Sequence, residues 1–333
     1  MALLWIDGFE GYGGVGTTPS YMDVRYASAP STNATIQAGR VEGYCLRQIS
    51  TNALITPALT QDPTLTVGCA YKFSQAGAYG SVYFYNNGTS GINVTFNYTE
   101  STIVTSRGGT TIDTTTLTRA FLSNMWYYFE VKVYCHNTEG TVEVRINGTT
   151  VVLLTNIDTR RGNDAFHNIV RFYLNYIYLD DLYICDGSGT LNDFQGVCWV
   201  SAVLPNADTL TIEFTPYSGT AHYAMVDENP PNTTDYVSSS TQGQTDLYAY
   251  LSLYGPDTII GLQVATIVLL IAGMSAILEI PIISNGVTEL GPDFQITSAS
   301  YKDSRHISTT DPYTGLPWTI ANLTAAQIGI RIM

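Results

Sequence analysis

At 333 residues the chain is long enough for two domains with separate cores. Only 13% of it is charged, 45% is hydrophobic, and 24 tyrosines and 29 glycines stand out, a balance that excludes a disordered or mainly helical protein. A formal net charge of −14, with no basic stripe, excludes a partner held by its phosphate backbone.

The chain opens with a strand candidate, Leu3 to Glu10, that runs into a turn-rich stretch with five glycines between Gly8 and Gly16. Nothing before it has the basic region and long apolar core of a secretory signal. The seven Asn-x-Ser/Thr sequons are therefore read as part of an Asn/Thr-rich β-protein. Three further strands are predicted at Leu65–Phe73, Ser81–Tyr85 and Gly91–Tyr98, with a turn at Asn86-Asn87-Gly88.

The clearest pattern lies between Asn124 and Asp158. Val142 to Ile146 alternates strictly between apolar and charged residues, as a strand with one buried face does. Asn147-Gly148 between two such runs is the strongest short-range hairpin signal, because both turn residues need positive φ. With Trp126–Tyr134 in front, this predicts a three-stranded antiparallel meander. Strands at Asn168–Tyr173 and Tyr178–Asp186 follow, and the texture changes between Asp186 and Gly196. The domains are therefore set at 1–190 and 191–333.

In the second part a polar, proline-containing stretch from Val226 to Thr241 lacks the apolar residues to fold alone. The segment Ile259 to Ile283 carries no charge between Thr258 and Leu278, which meets the length of a membrane helix. Gly261, Gly273, Pro281 and Glu279 interrupt it, and it lacks basic flanks. It is read as two buried strands, Ile260–Leu270 and Ala276–Ile283, joined by a turn at Ala272–Ser275, and not as a membrane span. Strands apolar on both faces need cover on both sides. Ile260, Leu262, Val264, Val268, Leu270, Ile277, Ile280 and Ile282 are therefore expected to form a contact with a second subunit. The end is expected as a strand at Asp293–Tyr301, a helical turn at Thr324–Gln327 and a closing strand at Gly329–Met333.

No catalytic pattern is found. The chain lacks a G-x-S-x-G elbow, a phosphate-binding glycine loop and H-E-x-x-H. His136, His167, His222 and His306 are read as surface or loop residues, and the five cysteines, without zinc spacing, as reduced thiols. Glycoside hydrolysis needs two carboxylates about 5–10 Å apart. Glu130 and Glu143 instead have Lys132 and Arg145 two residues on, as in solvent-facing charge pairs of a sheet. Asp180 and Asp181 point to opposite faces and form no dyad; one of the two is a candidate calcium ligand with loop carbonyls, with a strand-end cap as the competing reading. Tyr12, Tyr21, Tyr313 and Trp318 are candidate stacking platforms for sugar rings. No cofactor is expected.

Several of these runs, in order, carry a resemblance. Leu3–Tyr12 resembles the opening of phage-encoded proteins with a concanavalin-A-like lectin/glucanase domain. Trp126–Val133 is similar to their "W-x-y-x-E-x-K-V" strand, Gly140–Gly148 to the hairpin that follows, and Tyr178–Gly187 to their "D-D-L-Y-V-x-D" strand. Val226–Pro231, Asp235–Thr241 and Asp311–Thr319 resemble the tail of such proteins. The resemblance implies an all-β chain, a jelly-roll sandwich followed by a smaller β-domain. It implies a non-enzymatic structural protein of a tailed-phage virion, in the capsid decoration or the tail. Such a protein is assembled in the bacterial cytoplasm against other virion proteins and copies of itself. A glycan-binding adhesin for host polysaccharide is the alternative, and a glycoside hydrolase the remote one.

Overall fold

The computed structural model describes residues 3–30, 32–251, 258–271 and 275–333. It is an all-β structure in two compact units, Met1–Ser201 and Ala202–Met333.

The first unit is a jelly-roll sandwich of two antiparallel sheets. Its strands are β1 (Leu3–Asp7), β2 (Ala34–Ala38), β3 (Tyr44–Gln48), β4 (Asn52–Ile55), β5 (Thr64–Phe73), β6 (Tyr79–Asn86) and β7 (Thr89–Asn97). They continue as β8 (Thr102–Arg107), β9 (Thr110–Thr116), β10 (Trp126–Tyr134), β11 (Gly140–Ile146), β12 (Thr149–Ile157), β13 (Ile169–Asn175) and β14 (Ile177–Asp186). The eight-stranded sheet runs β12-β11-β10-β5-β14-β3-β2, with β1 also paired to β14. The six-stranded sheet runs β4-β13-β6-β7-β8-β9.

The meander forms as its alternation requires. Phe129↔Ile146 and Val133↔Val142 share register, and Asn147 and Gly148 take φ of 49° and 79° in the turn. Its inward residues, Phe129, Val131, Val133, Val142 and Val144, are all buried. Between the sheets Phe129 meets Phe96 at 4.2 Å between ring centroids and Tyr71 at 5.4 Å, while Phe73 meets Phe121 at 4.9 Å. Each such ring contributes about 1.5–3 kcal/mol by leaving water.

The second unit builds its main sheet in the order Pro205–Ile212, Thr245–Tyr250, Gln327–Ile332, Ala276–Glu279 and Phe294–Ile296. The hairpin Pro281–Ser284/Val287–Leu290 joins the Gln327–Ile332 strand. Leu262–Val268 pairs separately with Lys302–Ser308. The core is small: Ile280, Ile282, Trp318, Leu323, Ala326 and Ile328. No helix among the described residues is long and apolar enough to cross a membrane.

Several expectations shift here. The predicted second apolar strand is split by Ile280 into two short strands. Ile280 and Ile282 are core residues of their own unit, so neither is available to a second subunit. Ile277 is 38% exposed, and Leu262 and Val264 pack partly buried against the same small core. The predicted turn at 272–275 falls largely outside the described residues. The single strand expected at Asp293–Tyr301 is instead a three-residue strand and a separate one from Lys302. The helical turn arrives earlier, at Ile320–Ala325, capped by Thr319 accepting from the Asn322 amide at 3.1 Å.

Candidate functional site

The two outer faces of the sandwich are treated differently. On the eight-stranded sheet the outward residues of β10 are Tyr128, Glu130 and Lys132, since Phe129, Val131 and Val133 point inward. The segment 193–201, just after β14, lies across them. Glu130 Oε1 accepts from the Tyr183 hydroxyl at 2.6 Å and from the Gly196 amide at 2.8 Å. Lys132 pairs with Asp193 at 3.1 Å, and the Arg145 guanidinium sits 3.8 Å from the Phe194 ring centroid. Further along, Tyr128 meets the Cys198 thiol at 2.9 Å, and the Val200 amide donates to Asp181 at 2.8 Å. Gly68 makes the Tyr183 ring possible, because a Cβ there would lie 2.0 Å from its Cε1 atom. This strap corrects the reading of Glu130 as a solvent-facing charge. It is 0% exposed and anchors the covering segment. Glu143 and Arg145 do pair, at 2.9 Å.

The other outer face carries chemistry instead. On β13, Val170, Phe172 and Leu174 point inward, so Arg171, Tyr173 and Asn175 point out. On β6, Val82 and Phe84 are inward and Tyr79, Ser81, Tyr83 and Tyr85 outward. The register sets Arg171 beside Tyr83, Tyr83 beside Asn93, and Asn93 beside Ser106 across four strands. A second row runs Tyr173, Ser81, Thr95, Val104, and a third Asn175, Tyr79, Asn97, Thr102. At the centre Arg171 Nη1 donates to the hydroxyls of Tyr85 (3.1 Å) and Tyr173 (2.9 Å). Tyr83 meets Tyr173 edge-on at 5.0 Å and Tyr85 at 6.1 Å. Burial first, then the neighbouring phenols of Tyr173, Tyr85 and Tyr79, push the Tyr83 ionisation up, while Arg171 opposes this. Tyr83 thus stays a neutral hydroxyl at neutral pH. Tyr83, Tyr85, Arg171 and Tyr173 remain partly exposed. The result is a preformed patch of aromatic rings and one guanidinium, bordered by the partly exposed Thr95, Asn97 and Asn175, while Ser81, Asn93, Thr102 and Ser106 are buried beneath.

Next to it, the β8–β9 turn and the loops after β10 and β12 enclose an open pocket of about 460 Å³, lined by Arg107, Gly108, Thr110, Asn137, Asp158, Arg160, Arg161 and Gly162.

The residues singled out from the sequence fall elsewhere. Tyr12 is 2% exposed and donates to Asp7 Oδ2 at 2.6 Å; Trp318 is wholly buried and donates to the Ser308 hydroxyl at 3.1 Å. Neither has a ring face for a sugar. Tyr21 precedes the one-turn helix Met22–Arg25 with φ 57°, and Tyr313 is 55% exposed in the second unit. Tyr12 and Tyr21 belong to the first unit, Tyr313 and Trp318 to the second. Asp180 and Asp181 are buried, and their oxygens are already used. Asp181 pairs with Arg40 at 2.6 Å, and Asp180 accepts from the amides of Arg40 (2.7 Å) and Asp181 (2.9 Å). Both sit inside β14 and not at its end, so they cap no strand end; among the described residues no group of three or more His, Cys, Asp or Glu is placed to hold a metal. Burial and the adjacent Asp181 charge push the Asp180 carboxyl up to about 8.

His167, His222 and His306 are buried, against the surface reading. His222 Nδ1 meets Asp246 at 2.8 Å and His306 Nδ1 the Ile280 carbonyl at 2.8 Å. Asp246 also accepts from the Glu213 and Phe214 amides, so this pair ties down a loop. All five cysteines are free thiols.

No protein-family model matches the chain, and no curated protein matches it. Solved structures do show a likeness. An alginate lyase is 16% identical with a TM-score of 0.38, over 54% of this chain and 96% of its own. A glucuronan lyase from Trichoderma reesei is 10% identical with a TM-score of 0.35, over 48% and 91%. A galectin from Caenorhabditis elegans is 9% identical with a TM-score of 0.30, over 47% and 99%. At these values no residue of theirs is carried over to this chain. One expectation is corrected by them. The reading as a non-enzyme does not stand, because polysaccharide lyases are among the structures it resembles. The carboxylate-pair criterion behind that reading tests hydrolysis alone.

Proposed function

We propose that the protein binds a glycan across the outer face of the six-stranded sheet. One observation carries this reading. The strap covers the other outer face around Glu130, whereas this face presents Tyr83, Tyr85 and Tyr173, locked around Arg171 and flanked by the partly exposed Asn97 and Thr95. Sugars are recognised by aromatic faces that stack on C–H-rich ring faces, and by planar amide and guanidinium groups that bond vicinal hydroxyls. Holding the aromatic cluster rigid beforehand lowers the entropy cost of association. Titration of the whole chain with a glycan array, followed by calorimetry on the hits, tests this. Tyr173→Ala is expected to weaken binding about tenfold, the scale of one lost stacking contact of 1–1.5 kcal/mol. Binding that survives Tyr173→Ala and Tyr83→Ala unchanged refutes the site.

A second reading places this binder on a tailed-phage particle, exposed and held by its second unit. It is supported by the order of the phage-like runs from Leu3 to Thr319. Copies of the chain in purified particles, located by electron microscopy on head or tail, test it. Particles without the chain refute it.

A further inference from the structure

We infer that the glycan is anionic, and that its carboxylate or sulfate groups are taken by Arg160 and Arg161 in the pocket beside the tyrosine patch. This deepens the reading of the six-stranded face as a glycan site and rests on it.

The chain has only 14 lysines and arginines in 333 residues and a net charge of −14. Yet three arginines line one pocket together with a single carboxylate, Asp158, leaving a local surplus of positive charge. Arg107 answers that carboxylate: it ion-pairs with Asp158, and its Nη1 donates to the carbonyls of Asp158 (3.4 Å) and Arg160 (3.5 Å). Arg107 therefore shapes the loop and is not the ligand group.

The other two differ. The Arg160 guanidinium has no ion pair or hydrogen-bond partner among the described residues; only its backbone is tied, the amide to Asp158 Oδ1 at 3.1 Å and the His136 carbonyl at 3.3 Å, the carbonyl to Arg107. Arg161 reaches across the pocket and donates one Nη1 bond to the Ser90 carbonyl at 3.2 Å. Its guanidinium fills the space over Gly108, where a Cβ would lie 2.1 Å from Nη1 and where φ is +55°. A glycine at 108 is what lets this arginine lie flat on the turn. A guanidinium so held keeps unused N–H donors in a planar fork, the geometry that takes carboxylate or sulfate oxygens in pairs. Like charges this close repel, and an arriving anion relieves that repulsion.

Arg161 ties the pocket to the strands that carry the tyrosine patch. Ser90, whose carbonyl Arg161 holds, is the cross-strand partner of Tyr85, and Tyr85 is bonded to Arg171. An acidic chain lying over Tyr83, Tyr85 and Tyr173 thus meets Arg161 and Arg160 at the β6–β7 end of the sheet. The overall acidity of the protein adds selectivity, since it repels an anionic polymer everywhere else.

The test compares dextran, carboxymethyl-dextran and dextran sulfate, which share a backbone and differ in charge. Wild type, Arg160→Glu and Tyr173→Ala are compared by calorimetry in 50 and 300 mM salt. Arg160 makes no side-chain bond, so its variant is expected to keep the wild-type melting temperature. The inference predicts at least tenfold tighter binding of a charged polymer than of dextran by wild type. It also predicts loss of that preference in Arg160→Glu, and weakening with salt. The carboxymethyl and sulfate arms separate the two anions. Equal binding of charged and neutral dextran, or an unaltered preference in Arg160→Glu, overturns the anionic assignment while leaving the glycan face standing. Preference lost in Arg160→Glu with no effect of Tyr173→Ala keeps the anion pocket and overturns the tyrosine face. Absence of binding to all three polymers overturns both.

Discussion

His167 makes the stability of the first unit depend on pH in a way that can be isolated. The side chain is 1% exposed, packs 5.7 Å from the Phe84 ring, and neither ring nitrogen has a hydrogen-bond partner among the described residues. Burial alone lowers its pKa from 6.5 to about 4. The folded protein thus holds it neutral, while the unfolded chain protonates it below pH 6.5. Its contribution is complete above pH 6.5 and is lost as the pH falls towards 4. Between pH 7.5 and 5.0 the loss is roughly 2 kcal/mol. With an m-value of about 2 kcal/mol/M, that moves a urea midpoint by about 1 M. All five cysteines belong to the first unit, and four of them are buried. Reactivity towards a disulfide reagent that works in acid therefore reports the unfolding of this unit alone. His167→Leu removes no hydrogen bond, so it is expected within about 1 kcal/mol of wild type at pH 7.5. Other groups titrate in this range too, and the comparison between the two proteins cancels them. Midpoints that move by the same amount in both proteins refute the assignment of a neutral, buried His167.

The same thiol assay checks two more substitutions. Gly68→Ala places a methyl group inside the Tyr183 ring and is expected to cost about 1–3 kcal/mol, because the ring must leave Glu130 and loosen the strap. An unchanged midpoint would show that the strap does not depend on that ring. Glu10→Gln addresses a carboxyl that burial raises from 4.5 to about 9, its own backbone bond opposing and Asp180, Asp7 and Asp181 adding to the rise. A raised acid stabilises below its unfolded value, and that stability fades as the pH climbs through about 9. Wild type should therefore lose stability from pH 7 to 9 by a few kcal/mol, and Glu10→Gln by less; parallel losses count against it. The strap itself has a reporter in Trp199, which is 39% exposed. Tyr183→Phe removes the hydroxyl that bonds Glu130 and the Gln195 amide, and should raise quenching of Trp199 by acrylamide. Identical quenching would place the hold on the strap elsewhere.

What the sequence made legible follows from where physics acts locally. Alternation and the Asn147-Gly148 turn depend on neighbours in the chain, and the meander came out within a residue or two. The strands β8 and β9 went unread because they are threonine-rich and weakly apolar: Thr110–Thr116 lies at the sheet edge with little burial. The short β2, β3 and β4 were hidden among glycines and prolines. Burial of single residues was less legible still. Tyr12 and Trp318 sit amid turn residues and look exposed, yet each has a partner distant in space that satisfies its polar end. Glu130 looked solvated because its neighbour Lys132 is charged, and the segment that buries it begins some sixty residues later. The site was missed for the same reason. Tyr83, Tyr85, Arg171 and Tyr173 lie on strands about ninety residues apart, and only the β6–β13 pairing makes them one patch. The signal available in retrospect is the outward set of β6, tyrosine at 79, 83 and 85, where a plain sandwich would carry threonine and lysine.

The asymmetry between the two faces is the strongest reason to look for function on the six-stranded one. A sheet face has a row of polar groups that water, another segment or a ligand must satisfy. Around Glu130 on the eight-stranded face that is done internally: Glu130, Tyr183, Lys132, Arg145, Tyr128 and Asp181 take partners from 193–201 or from each other, while Trp126, Lys72, Tyr178 and Arg47 stack on one another beyond the strap. That face spends its chemistry on holding the chain. On the six-stranded face, Arg171 is bonded to two tyrosine hydroxyls, an arrangement that orients the rings and adds no strand-to-strand backbone bond. Alanine or threonine at these positions would keep the sheet as well by β-propensity. Three tyrosines drawn round one arginine, partly exposed, leave apolar ring area in water at a cost of about 25 cal/mol per Å². That cost is recovered when a ligand covers the rings, which is why this uncovered, prearranged aromatic surface is where an occupant is sought.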